Sequence, residues 1–108
     1  MTKILVSYGF GAGWATWAAG EKQRAIAEYK PIIEFLEAGG DGGDLESGKV
    51  EVEGELHHPL VAQMMKDLEL DHFYAGGGTG LTVETVHGAY RIDEYDGSES
   101  VTTARDFW

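Results

Sequence analysis

The stretch most suggestive of ligand chemistry is a glycine-rich corner near the N-terminus, where Gly9, Gly11 and Gly13 alternate with other residues after an apolar run. A glycine-rich turn between a strand and a helix can present backbone N–H groups to a phosphate. The spacing is not GxGxxG, however, and neither a P-loop lysine nor an acidic ribose-binding residue accompanies it. The corner is open to three interpretations: a small-molecule or nucleotide-binding loop, a structural turn, or part of a partner-binding surface.

Two tryptophans, Trp14 and Trp17, follow these glycines directly. Large indole rings pack well over bare glycine backbone, which favours a structural corner. Tryptophan is also a preferred anchor residue at protein interfaces, which favours a binding surface. Composition alone leaves both interpretations open.

Metal binding is a second chemical possibility, because a carboxylate such as Glu55 or Asp71 lies near histidines in the sequence. No histidine pair has the i, i+4 spacing that places two ligands on one helix face, and adjacent histidines point in different directions. We therefore expect structural or surface histidines, no metal site and no cofactor. The histidines are His57, His58, His72 and His87.

Covalent catalysis has little support in the sequence. The chain has no cysteine, and Ser7 precedes Tyr8-Gly9 without the GxSxG context of a nucleophile elbow. Acidic pairs such as Asp93 and Glu94 have the chemistry for acid–base catalysis, but such pairs arise by chance in an acidic protein. We expect a protein that is not an enzyme.

Net charge is the strongest compositional signal. Nineteen acidic residues against eight lysines and arginines give −11, which disfavours direct binding to nucleic acid or to anionic membranes. The acids cluster at residues 41–55 and again at 93–99. Each cluster is interpreted either as a solvated acidic face or as a patch that fits a basic protein groove, such as one that normally holds nucleic acid.

At 108 residues with 43% apolar composition, the chain has the size of a single domain spanning 1–108. It contains no apolar run of the roughly 20 residues that span a bilayer, and its N-terminus lacks the apolar core of a signal peptide. These features predict a cytoplasmic location.

In the first half of the chain, residues 2–8 predict a central strand covered on both faces. An apolar stripe at helical spacing predicts a helix over 21–38, with a kink or two abutting helices at Pro31. Residues 39–48 predict an exposed, mobile loop. Residues 49–55 alternate valine with glutamate, which fits either a short edge strand or a solvated loop.

In the second half, His58-Pro59 predicts the start of a helix over 59–70. Residues 72–75 and 81–86 predict strands, as do the segments on either side of the Asp96-Gly97 hairpin turn. The element order favours an α+β fold in which two helices pack on one face of a small, mostly antiparallel sheet of four to five strands.

Both ends of the chain resemble a group of small, functionally uncharacterised proteins of tailed bacteriophages and prophages. The resemblance rests on GFGAGWATW (Gly9–Trp17) and YRIDEYDGSESV (Tyr90–Val101), together with the helical segment ending Glu37-Ala38-Gly39. It implies phage or prophage origin and action in the cytoplasm of a bacterial host. It implies no catalytic or binding residue.

These observations together predict a non-enzymatic phage accessory protein that binds a host or phage protein, with a basic, nucleic-acid-binding protein as one candidate partner. A homodimer is also compatible with exposed tryptophans and an edge strand. The alternative function is small-molecule or nucleotide sequestration by the Gly9–Gly13 loop. The residues expected to bind the partner are Trp14, Trp17, Tyr95, Asp96 and Glu99.

Overall fold

Six strands form three separate two-stranded antiparallel sheets in the computed structural model, which describes residues 1–9, 13–95 and 97–103. The pairs are β1 with β4, β2 with β3, and β5 with β6. The strands are β1 (Thr2–Ser7), β2 (Val50–Val52), β3 (Glu55–His57), β4 (Leu81–Val86), β5 (Tyr90–Tyr95) and β6 (Ser98–Thr103). The helices are α1 (Gly20–Ala27), α2 (Lys30–Glu37) and α3 (Pro59–Asp67).

The α+β class is confirmed, but the strands do not join into one sheet of four or five. The central position predicted for the first strand is wrong, because β1 pairs only with β4 among the described strands, with Thr2 opposite Val86 and Ser7 opposite Leu81. The expectation that β1 is covered on both faces is confirmed, because four consecutive residues, Ile4 to Ser7, are buried. The other edge of β1 lies next to β6. No backbone ladder joins these two strands in the described structure; the side chain of Glu99 in β6 accepts a hydrogen bond from the backbone of Ser7 in β1.

The predicted break near Pro31 is also confirmed. Tyr29 has an extended conformation (φ −67°, ψ 108°) between α1 and α2, and Pro31 lies in the first turn of α2. Proline is tolerated there because the first helical N–H groups have no intrahelical acceptor. Ile26, Tyr29 and Ile33 are buried across this break, so one apolar stripe serves two short helices.

Of the two alternatives for 49–55, the strand is confirmed in part: Val50–Val52 form β2, which a tight hairpin turn joins to β3. Glu53 and Gly54 both have positive φ, 50° and 85°, as the two central residues of a type I′ turn require.

The strand predicted over 72–75 is wrong. Phe73 and Ala75 are buried, so the side chains alternate between inside and outside as they would in a strand. No neighbouring strand pairs with this segment in the described structure, however.

The exposed, mobile loop predicted over 39–48 is replaced by a packed 3₁₀ turn, Gly42–Glu46, whose Leu45 is buried. The turn lies against a second one, Gly78–Gly80. The backbones meet at Gly42 and Gly78, where a Cβ on either residue would collide with the carbonyl oxygen of the other. Two glycines therefore permit an approach that no side chain allows.

The hairpin predicted at Asp96-Gly97 is confirmed by the pairing of Tyr95 with Ser98 and by the positive φ of Gly97, 82°. Asp96 itself lies outside the described residues. Among those described, no helix is both long enough and apolar enough to cross a membrane.

Candidate functional site

A buried carboxylate joins the two ends of the chain. Glu99 is only 1% exposed, and its Oε1 accepts a hydrogen bond from the backbone N of Ser7 at 2.9 Å. Its Oε2 accepts bonds from the backbone N of Trp14 at 2.6 Å, from the backbone N of Thr16 at 3.1 Å and from Thr16 Oγ1 at 2.7 Å. One side chain therefore holds β1, the tryptophan corner and β6 together. We call this cluster of Ser7, Trp14, Thr16 and Glu99 the Glu99 node.

Local geometry explains why these donors converge. In the ladder between β1 and β4, Tyr8 N donates to Gly80 O, so Ser7 N points away from β4 towards β6. The 3₁₀ turn Ala15–Trp17 lets the N–H groups of Trp14 and Thr16 converge on one oxygen. Gly13 must be a glycine here, because an added Cβ would lie 2.8 Å from Glu99 Oε2.

The node compensates a buried charge without a cation. None of the ion pairs found among the described residues includes Glu99. Burying a carboxylate is costly unless its oxygens are hydrogen-bonded, and bonds from N–H groups to a charged acceptor are among the stronger ones. Four donors on two oxygens meet that requirement, so the node acts as a structural tie.

Trp14 is fully buried beside this node and packs edge-to-face on Phe73, with ring centroids 4.9 Å apart. Its Nε1 has no acceptor among the described residues. The expectation that Trp14 and Glu99 contact a partner is therefore wrong, because neither side chain reaches the surface.

Trp17, in contrast, remains at the surface with 56% of its area exposed. Its Nε1 donates to Gly13 O at 3.1 Å, which fixes the indole against the backbone of the corner. Tyr74 is 53% exposed and meets Trp17 edge-to-face, with centroids 5.8 Å apart and rings at 88°. We call Trp17 and Tyr74 the aromatic pair.

Tyr95 and Tyr8 are two further exposed aromatic side chains, and Tyr95 is the more exposed at 77%. Tyr8 belongs to the strand end beside the last hairpin, since Ser98 Oγ donates to Tyr8 O at 2.9 Å. Burial of the phenol and its hydrogen bond to Glu84 raise the pKa of Tyr8 to about 12. The Tyr8 side chain therefore stays a neutral hydroxyl at physiological pH.

The glycine loop offers a phosphate little in its described part. Gly9 and Gly13 are described, whereas Gly11 lies outside the described residues. Directly after this loop, the backbone N–H groups of Trp14 and Thr16 are bonded to Glu99 and are therefore not free to bind a phosphate. At these two N–H groups the acceptor is the protein's own carboxylate.

The histidines lie in separate environments. His57 is buried in β3 and its Nε2 has no partner among the described residues, while His58 Nδ1 accepts from Leu60 N at 3.1 Å and caps α3. His72 is exposed and contacts Glu55 at 3.2 Å. Within the described ranges, no three His, Cys, Asp or Glu side chains are grouped so as to hold a metal ion.

Sequence reasoning missed Ser7 and Thr16 as donors and Tyr74 as a surface aromatic residue. For Tyr74 a signal existed: the alternation of Phe73 and Ala75, which are both buried, leaves the side chain between them outward. For Glu99 the signal was its spacing from the apolar residue Val101. Residues two apart in a strand point to the same face, so Glu99 lies with Val101 on the inner face of β6.

Comparisons of the chain with protein-family models, with curated proteins and with solved structures found no match.

Proposed function

We propose that the protein is a non-enzymatic phage or prophage accessory protein, acting in the bacterial cytoplasm, that binds a host or phage protein through the aromatic pair. The observation that carries the proposal is the exposure of Trp17 and Tyr74 in one fixed arrangement. Aromatic side chains that are exposed yet held in place suit an interface, because little conformational freedom is lost when a partner covers them.

The node supports this proposal by explaining how the pair is held. Glu99 fixes the backbone at Trp14 and Thr16, and the next residue, Trp17, is fixed by its own bond to Gly13 O. Tyr74 follows Phe73, whose ring packs on buried Trp14. Both members of the pair are therefore anchored by a buried neighbour within three residues.

The charge of the chain indicates the kind of partner. A net charge of −11 attracts a basic protein surface and speeds its association, while the aromatic contacts supply affinity. A basic protein that itself binds nucleic acid fits this description. The presence of phage-like segments at both ends of the chain favours a host or phage protein as that partner.

A two-step binding experiment tests the proposal. Immobilised wild-type protein is used to capture proteins from a bacterial lysate, and the captured protein is then purified and titrated calorimetrically. The test variant is Trp17→Ala with Tyr74→Ala. The matched control is Val50→Ala with Leu56→Ala, which removes two exposed apolar side chains from the β2–β3 hairpin instead.

We expect the control to bind the purified partner like wild type and the test variant to bind at least about 30-fold more weakly, as the loss of two interface anchors implies. Raising the salt concentration should slow association with a basic partner. Equal binding by both variants would refute the aromatic pair as the interface. Circular dichroism spectra of the variants establish that both are folded.

A further inference from the structure

We infer that the outer edge of β4 is a docking site for an extended, basic peptide segment, which would add to the β1–β4 sheet as a third strand. This site does not include the aromatic pair, and its test does not depend on the function proposed above. Three features of this edge support the site: backbone groups with no strand partner among the described residues, a groove beside them and the charge of that groove.

The unpaired groups follow from the register. Tyr8 lies opposite Gly80 when the register is continued by one residue, and Tyr8 N donates to Gly80 O. In an antiparallel pair every second residue directs its N–H and C=O groups to the partner strand. Counting on from Gly80, these residues of β4 are Thr82, Glu84 and Val86. The alternate residues Val83 and Thr85 therefore direct theirs outward. No other strand pairs with β4 in the described part of the chain, so these groups form an open edge.

An open edge of this kind is a template for strand addition, and proteins usually blunt it with a short strand, a proline or a lysine. β4 has six residues and none of these features. The corresponding edge of β1 differs, because the Glu99 carboxylate already bonds the outward N–H of Ser7. Strand addition to this sheet is therefore directed to β4.

A groove of about 520 Å³ runs beside this edge, between β4 and the end of α2. Its wall on the strand side is the consecutive run Leu81, Thr82 and Val83. Successive side chains of a strand point to opposite faces, so a groove that touches three in a row meets the strand along its backbone. Val83, which is half-buried, gives this wall apolar area that can receive a side chain of an added strand.

The charge of the groove selects a basic occupant. Among the described residues that line it are the acids Glu37 and Asp41, and none of these lining residues is a lysine or an arginine. Lys3 forms an ion pair with Glu37 at 2.6 Å, but both side chains remain about half exposed. A second copy of this chain fits poorly, because each copy carries −11 and the acids at this edge would face one another.

The probe for this site is the blocked peptide Thr-Lys-Val-Lys-Val-Lys-Thr, titrated against isotopically labelled protein while amide hydrogen exchange is followed by NMR. We expect exchange at Val83 and Thr85 to slow at least about tenfold at saturation, because their amides acquire acceptors. The amides of Thr82 and Glu84, which already bond to β1, serve as internal references and should change little.

Two altered peptides separate the contributions without touching the protein. Glutamate in place of each lysine should abolish binding, and N-methylation of the backbone amides on the bonding edge should do the same. Glu37→Gln with Asp41→Asn should weaken the lysine peptide about threefold to tenfold. The Trp17→Ala, Tyr74→Ala variant should bind the peptide like wild type.

Three outcomes would overturn the inference. One is protection that maps to residues other than the β4 edge, and another is equal binding of the glutamate peptide. The third is protection of Val83 and Thr85 in the free protein that rises with protein concentration, which would assign this edge to self-association.

Discussion

The carboxylate oxygen Oε2 of Glu99 lies 2.6 Å from the backbone nitrogen of Trp14, although the two residues are 85 positions apart. This contact brings together the tryptophan corner and the last strand, β6. They meet through a buried hydrogen-bond node. Trp14 and Glu99, which the sequence suggested as partner-binding residues, lie in the interior instead.

Replacing Glu99 by glutamine should destabilise the protein by about 3 kcal/mol, because one acceptor becomes an NH₂ group that faces an N–H donor in a buried site. Oε1 and Oε2 both accept bonds from backbone N–H groups, so neither orientation of the amide satisfies every donor. Urea unfolding measures the change. Glu51→Gln, at an exposed acid of β2, is the control and should leave the midpoint unchanged; a Glu99→Gln midpoint equal to wild type would contradict the role of the node.

The two tryptophans should differ sharply in their contribution to stability. Trp14→Ala removes a fully buried indole that packs on Phe73 and should lower the free energy of unfolding by about 3–5 kcal/mol. Trp17→Ala removes a half-exposed ring and should cost less than about 1.5 kcal/mol. Thermal unfolding followed by circular dichroism compares the variants, and similar losses for both would contradict the assignment of one residue to the core and the other to the surface.

Alanine at Gly42 or at Gly78 should destabilise the protein by about 1–3 kcal/mol, since overpacking forces the backbone to shift. In each case the new Cβ would collide with the carbonyl oxygen of the opposite glycine. Gly43→Ala is the matched control in the same turn, because its Cβ would come no closer than 3.3 Å to Asp41. Chemical denaturation of the three variants should rank Gly43→Ala nearest to wild type; a Gly43→Ala loss as large as the other two would show that the close approach is not the cause.

Stability should fall between about pH 10 and pH 12. The pKa values of Tyr8, Tyr29 and Tyr90 are raised from 10.0 to about 12 by burial and by hydrogen bonds to the carboxylates of Glu84, Asp67 and Glu28, respectively. A pKa that is higher in the folded protein than in the unfolded chain means that the folded protein holds the tyrosine proton more tightly. The resulting stabilisation is complete below pH 10 and is lost as the pH rises through the pKa of the folded protein.

Phenolate absorbance measures this titration directly. In native protein, three tyrosines should ionise about two pH units later than they do in denaturant. Tyr90→Phe should remove one phenolate from the late phase and leave the earlier absorbance unchanged. Coincident titration curves for native and denatured protein would contradict the prediction.

Local patterns predicted the helices and the last hairpin well. The stripe of Ile26, Tyr29 and Ile33 and the position of Pro31 specify two abutting helices through contacts a few residues apart. The Asp96-Gly97 signal likewise depends only on its own strands. In contrast, the division into three sheets depends on which strands pair across the whole chain, and periodicity carries no such information.

The candidate site shows the same division. Trp17 and Tyr95 lie on the surface as their types suggested, whereas Glu99 was misjudged because an acid is almost always exposed unless its charge is compensated. Its donors include three backbone N–H groups, at Ser7, Trp14 and Thr16. Backbone groups are present at almost every residue, so the sequence gives no sign of which of them will converge.

The separation of 92 residues between Ser7 and Glu99 also determines when the corner can be completed during synthesis. Until β6 has left the ribosome, the N–H groups of Ser7, Trp14 and Thr16 have no carboxylate to receive them, and Trp14 has no fixed backbone from which to enter the core. Closing so long a loop is entropically unfavourable and slow compared with forming local helices. The first segment to be translated should therefore be among the last to become native, and a nascent chain arrested before Glu99 should expose Trp14 to protease and chaperone alike.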